Sequence, residues 1–186
     1  MKVSGTTLPG ALLIEPDAHG DSRGFFAETY RADVLAEAGV LEAFVQDNHS
    51  RSGFGVVRGI HFAVGDGSAK LVRCARGSIW DVIVDLRCGS PTYGAWEGFD
   101  LTDENLRVLY IPRGFGHGFC VTSDVADVVY KQSDYYDPDL EKGIAWDDPE
   151  VGIKWPIAAD QVIASERDLG APTLAEVADD LPFELD

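Results

Sequence analysis

Apolar and β-branched residues recur along this chain in short runs separated by Gly, Pro, Asp and Ser, the spacing of strands joined by turns. Residues 56–62, 70–75, 79–86, 108–111, 118–122 and 128–132 are the runs that predict strands. Within 79–86, Asp81 and Asp85 interrupt otherwise apolar positions. Two stretches follow the helical period instead: residues 31–38, which stop before Gly39, and residues 173–178 near the tail. No repeat, low-complexity tract or Pro/Ser-rich linker divides the chain, so residues 1–186 read as one domain. Short, regularly spaced strands with a few small helices outside predict an all-β fold, a jelly-roll β-barrel.

Composition narrows the function classes. A chain of 186 residues with 45% hydrophobic positions and four Trp is long enough to bury a sizeable core. It has no apolar stretch of membrane-spanning length, and its N-terminal segment lacks the apolar core of a secretion signal. Cys74, Cys88 and Cys120 are odd in number and widely spaced, which suits a reducing cytoplasm better than a disulfide framework. These features predict a cytoplasmic protein with no membrane partner. The formal net charge of −17 disfavours nucleic acid, whose phosphates need a basic surface. Such acidity keeps a protein soluble and fits a salty cell interior. It also requires any phosphate-bearing ligand to find its cations locally.

Of the four His, His61 stands out, because it lies in the strand-like run Arg58-Gly59-Ile60-His61-Phe62. Strand alternation puts residues 58, 60 and 62 on one face and His61 on the other. A barrel interior on that second face would hold the imidazole in a partly dry cavity, where a base can be tuned. His117 follows a different pattern, sitting among Gly114, Gly116 and Gly118. Those glycines signal close backbone approach or a forced turn, and a turn carrying an incidental His fits equally well. No His-x-His pair occurs anywhere, so a first-row metal site is not expected. Moving a proton beside a ketone needs a base, a cation for the enolate and an acid for the return. His61, Lys70 and Tyr130 are residues of those types. Lys70 as a solvated strand end and Tyr130 as a core aromatic remain open alternatives.

A set of motifs, in order and spread over nearly the whole chain, carries a family resemblance. They are residues 20–28 (GDSRGFFAE), 44–50 (FVQDNHS), 55–62 (GVVRGIHF), 70–74 (KLVRC), 81–87 (DVIVDLR) and 90–94 (SPTYG). Residues 111–119 (IPRGFGHGF), 130–138 (YKQSDYYDP) with Glu141, and 165–168 (SERD) complete the series. In these the chain resembles the dTDP-4-dehydrorhamnose 3,5-epimerase family. The resemblance implies a cupin-type jelly roll, a homodimer, no cofactor, and a nucleotide-linked 4-keto-6-deoxy sugar as substrate. By the same resemblance His61 is the proton acceptor, Tyr130 the proton donor, and Asp168 the carboxylate that orients His61. Lys70 matches the lysine near the keto oxygen.

Arg23, Glu28, Gln46, Asn48, Arg58, His117 and Glu141 fall on the family's binding positions, and Tyr136 resembles an aromatic that stacks on the base. Arg167 stands where many members have Lys, which keeps the charge and changes its geometry. Arg23 and Glu28 are implied to lie on a strand exchanged with the partner subunit, so that the site is completed across the dimer interface. Arg23, Arg58, Lys70 and Arg167 would then supply the local cations for the diphosphate. One departure is Ala63, where the family usually has Gln, followed by a loop to Lys70 without Pro. Relatives that epimerise only carbon 3 share the lost Gln. A carbon-3 epimerase of an antibiotic deoxysugar pathway is therefore the nearest alternative. A metal-dependent cupin oxygenase and a non-catalytic sugar-binding module are more distant ones.

Overall fold

In the computed structural model, which describes residues 1–185, the run interrupted by Asp81 and Asp85 becomes a central strand covered on both faces (β8, Ser78–Asp85). Ile79 and Ile83 face one buried cluster, Val82 and Val84 another, which explains why the run reads as continuously apolar. Asp81 and Asp85 share the parity of Ile79 and Ile83 and are both fully buried.

Two antiparallel sheets form the fold. The first orders β1 (Lys2–Gly5), β2 (Leu12–Glu15), β10 (Val108–Ile111), β7 (Lys70–Arg76), β12 (Val125–Gln132) and β5 (Gln46–Gly53). The second orders β13 (Glu141–Gly143), β6 (Val57–Ala63), β11 (Phe115–Val121), β8 and β9 (Trp96–Thr102). Neighbours in the order are seldom neighbours in sequence, which is the crossed connectivity of a jelly roll. Side chains from both sheets fill the space between them: Val72, Ile79, Ile83, Leu101, Leu109, Phe115, Phe119 and Val128 among others. Each such aliphatic or aromatic side chain stabilises the fold by about 1.5–3 kcal/mol when fully buried.

The helices lie outside the sandwich. Leu35 of α1 (Ala32–Glu37) packs with Ile14, Leu71 and Val108 on the outer face of the six-stranded sheet. The C-terminal segment covers the outer face of the five-stranded sheet, where Leu174 of α3 (Leu174–Val177) and Phe183 meet Ile60, Phe62 and Val84. A short α2 (Glu166–Leu169) lies between them in sequence, and no described helix is long and apolar enough to cross a membrane.

The structure extends the sequence reading in three places. β11 begins at Phe115, ahead of the predicted start at 118, because its alternate positions are glycines that allow β6 to come close. A Cβ on Gly118 would lie 2.8 Å from the Arg58 carbonyl oxygen, and one on Gly116 2.6 Å from Ile60. β5 has no apolar stripe at all, since the side it turns inward carries Gln46, Asn48, Ser50 and Ser52. Among the described residues the hairpin of β3 (Ala18–Asp21) and β4 (Gly24–Ala27) pairs only with itself. Its Phe25 and Phe26 are 62% and 72% exposed.

Candidate active site

Beside the apolar centre of the sandwich, β5, β6, β7, β11 and β12 turn polar side chains into an open cleft of about 620 Å³. Arg58, His61, Lys70, His117, Tyr130, Tyr136, Glu141, Arg167 and Asp168 all line it.

The parity of β6 differs from simple alternation. His117 of β11 pairs with His61, whereas Phe119 pairs with Arg58, so three steps on β6 match two on β11. This bulge inserts one residue and turns Arg58 to the same side as His61. Arg58 therefore does not share the face of Ile60 and Phe62, which pack under the C-terminal segment. Gly59 makes the bulge sterically feasible: its φ is +128°, and a Cβ there would lie 2.4 Å from Gly118 Cα.

Asp168 reaches the cleft from outside the barrel. Ser165 caps α2, its hydroxyl accepting a hydrogen bond from the Asp168 backbone N–H at 3.1 Å. The segment ahead of it is tied to β6, as the Val57 N–H donates to the Ile163 carbonyl. So held, the Asp168 carboxylate lies 2.6 Å from His61 Nε2. Burial raises the Asp168 pKa, but the bonds from His61 and Ser165 and the charge of His61 outweigh it and hold the carboxyl below its ordinary value. An ionised Asp168 accepts a hydrogen bond from Nε2–H, which leaves Nδ1 as the basic atom of the ring.

Lys70 and Tyr130 enter from the six-stranded sheet. Burial lowers the Lys70 pKa, opposed by the charges of Glu141 and Asp81. Among the described residues no carboxylate lies within 4 Å of its ammonium. It is a buried strand residue facing the cleft, not a solvated strand end. The Tyr130 phenol is pushed up by burial and then by the Glu141 charge, with Arg58 pulling the other way. Its ring also packs against the interior core, so it is at once a core aromatic and a cleft residue.

The remaining residues form the rim. Asn48 donates to Gln132 at 2.7 Å, Gln46 donates to Asn48 at 3.0 Å, and the Tyr136 backbone N–H donates to Gln46 at 2.9 Å. This amide chain fixes the rim beside Tyr136, with Gln46 and Asn48 set just outside the cleft lining. Arg58 donates to Ser52 at 3.1 Å. Arg167 and Glu141 both line the opening, and the guanidinium has no carboxylate partner among the described residues.

Two expected residues are not brought in. Arg23 bonds to Asp21 within the β3–β4 turn, and Glu28 lies near Arg31, both exposed and away from the cleft. Within one chain the cleft cations are thus Arg58, Lys70 and Arg167. Ala63 also falls outside the cleft lining; it pairs with Glu141 and faces a separate small hollow.

Sequence reasoning missed one partner. The imidazole of His117 is buried, and its Nε2 lies 2.9 Å and 3.1 Å from the two oxygens of Asp81. His117 is therefore not an incidental turn residue. The only signal in the sequence was an acid on the inward parity of an apolar strand. Among the described residues, no three His, Cys, Asp or Glu side chains converge as a metal-binding group.

Comparison with known proteins gives a consistent picture. The sequence profile of the dTDP-4-dehydrorhamnose 3,5-epimerase family matches residues 5–176. The chain is 48% identical over 172 residues to the dTDP-4-dehydrorhamnose 3,5-epimerase of Methanothermobacter thermautotrophicus, covering 92% of this chain and 93% of that one. It is 46% identical to a dTDP-4-dehydrorhamnose 3-epimerase of Streptomyces niveus, over 96% of this chain and 86% of the relative. A crystal structure of the Legionella pneumophila dTDP-6-deoxy-D-glucose-3,5-epimerase in complex with dTDP-4-keto-L-rhamnose superposes with a TM-score of 0.95 at 43% identity. That match covers 100% of this chain and 99% of the other.

Proposed function

The chain belongs to the dTDP-4-dehydrorhamnose 3,5-epimerase family, and from that premise we propose that it inverts carbons 3 and 5 of a dTDP-4-keto-6-deoxyhexose with His61 as base and Tyr130 as acid. The observation that carries the assignment is the 2.6 Å contact of His61 with Asp168, in a cleft that also presents Lys70 and Tyr130.

The chemistry follows from the ketone at carbon 4, which acidifies the hydrogens on both neighbouring carbons. Nδ1 of His61 takes the proton from carbon 3, the C–H electrons form a double bond between carbons 3 and 4, and the carbonyl π electrons move onto oxygen to give an enolate. Lys70 offers its charge to that oxygen in a buried setting, where such a charge is worth more than in water. Tyr130 then returns a proton to the opposite face of the carbon. Its raised pKa keeps the phenol protonated until that moment. Proton exchange with solvent resets both side chains, and carbon 5 undergoes the same sequence.

Arg58 and Arg167 hold the diphosphate at the cleft mouth, Tyr136 stacks on the base, and His117 and Glu141 meet the sugar. Gln46 and Asn48 fix the rim against the nucleotide. Arg23 and Glu28 serve the neighbouring subunit of a homodimer: the β3–β4 hairpin, with its exposed Phe25 and Phe26, crosses to the partner and closes that partner's cleft. The acid–base set needs no cofactor, and the three cysteines, all free, suit the cytoplasm.

Incubation with dTDP-4-keto-6-deoxyglucose in heavy water tests the proposal. Deuterium at carbons 3 and 5, read by NMR, supports it. Deuterium at carbon 3 alone identifies a carbon-3 epimerase, and none at either carbon removes the epimerase reading.

A further inference from the structure

Among the described residues the Asp81 carboxylate bonds to no loop or backbone group. Its neighbour in the pattern, Asp85, does: that carboxylate accepts bonds from Arg87, Ser90 and Thr92 at 2.6–3.0 Å and organises the loop after β8. Asp81 sits four residues earlier on the same inward face, between Ile79 and Ile83, where there is no loop to organise. It is 0% exposed, and among the described residues its side chain bonds only to His117. An ionised group survives such burial only when it is paired. His117 in turn lines the cleft, and with Nε2 taken by Asp81 its remaining polar atom is Nδ1.

Resting on the epimerase reading, we propose that Asp81 is a positioning residue for the reaction, acting through His117. It accepts the Nε2 proton and sets the ring so that Nδ1 meets the sugar oxygens beside Lys70. The cleft then contains a pair of His–Asp units built on adjacent strands, since His61 and His117 are direct cross-strand partners. One is the base with its orienting acid; the other fixes the sugar against it. Asp81 has a second effect in the same place. Its charge helps Lys70 keep a proton against the burial that opposes it. A single buried carboxylate thus serves both groups that face the keto side of the sugar.

Asp81→Asn tests this, because it keeps the volume and removes the charge. In the full-length protein, affinity for dTDP should stay within about twofold, while deuterium uptake at carbons 3 and 5 falls by about 10²-fold, between the losses typical of outer-sphere partners and of a triad carboxylate. Made in a His117→Gln background, the same change should cost at most a few-fold more, the part that acts through Lys70. Undiminished uptake in Asp81→Asn, or the full loss with His117 already gone, overturns the proposal. Should Asp81→Asn not fold, proton–nitrogen correlation spectra of the unaltered protein decide: a proton on His117 Nε2 upholds the assignment, and a bare Nε2 with the proton on Nδ1 overturns it. Failure of the epimerase reading looks different, since the unaltered protein would then take up no deuterium.

Discussion

The cleft and the β3–β4 hairpin are built in opposite ways. In and beside the cleft the two histidines and the rim amides are held by other side chains: His61 by Asp168, His117 by Asp81, Asn48 by Gln132. His61, Lys70, His117 and Tyr130 sit on strands paired along both edges. Among the described residues the hairpin pairs only with itself and exposes Phe25 and Phe26, and Arg23 in its turn and Glu28 just after it are exposed. Proton transfer needs closely fixed groups, and the His61–Asp168 contact lies within one chain. Nucleotide capture tolerates looser placement, and on the proposed function the hairpin serves a second copy. Chemistry and capture should therefore fail separately.

The largest loss should follow His61→Ala. Deuterium exchange at carbon 3 is expected to fall by about 10²–10⁴-fold while calorimetric affinity for dTDP is unchanged. A matching loss of affinity would mean that the cleft does not separate chemistry from capture.

Lys70→Met should cost about 10²–10³-fold in the same exchange assay, and it should also raise Tm. The sign follows from burial: the folded state disfavours the charged amine, so the penalty is present below the folded pKa. It fades as pH rises through that value toward the ordinary lysine range near ~10.4. Calorimetry at neutral pH should show a gain of roughly 2–4 °C for each kcal/mol of penalty removed, and that gain should shrink in alkaline buffer. A Tm that falls at neutral pH would contradict the account of Lys70.

How much of this was readable in the sequence differs between the same two regions. The central strands β7, β8 and β10 are legible as apolar runs, because they bury side chains on both faces. β5 is not, since its inward side is polar for the sake of the cleft, and the hairpin is not, since it has no core face. Chemistry alone nominated His61, Lys70 and Tyr130. Asp168 came only through family resemblance, because nothing local links it to a base 107 positions earlier. Arg58 was put on the wrong face because a bulge is invisible to simple alternation. Asp81 was visible as an interruption, yet its partner could be found only once β8 and β11 were side by side.

Replacing Phe25 and Phe26 together with Ser is expected to touch capture alone. Ultracentrifugation should show a shift from dimer to monomer, and KM should rise about 10–30-fold with kcat nearly kept, the scale of losing an interface anchor. A mass and KM unchanged from the parent would detach the hairpin from dimerisation. The smallest effect should come from exhaustive chelation, which is expected to leave the exchange rate where it was. Activity lost to chelator and restored by a divalent metal would favour the oxygenase-like alternative.

The central claim is that His61 and Tyr130 stand on opposite faces of the sugar, and Tyr130→Phe in heavy water tests it most directly. The substitution keeps the ring that packs against the core and deletes the proton. NMR of the reaction should show deuterium still entering the substrate, returned by His61 to the face it came from, while inverted product falls by about 10²-fold or more. Inversion of both carbons at the parent rate would contradict the account and leave Tyr130 as a core aromatic.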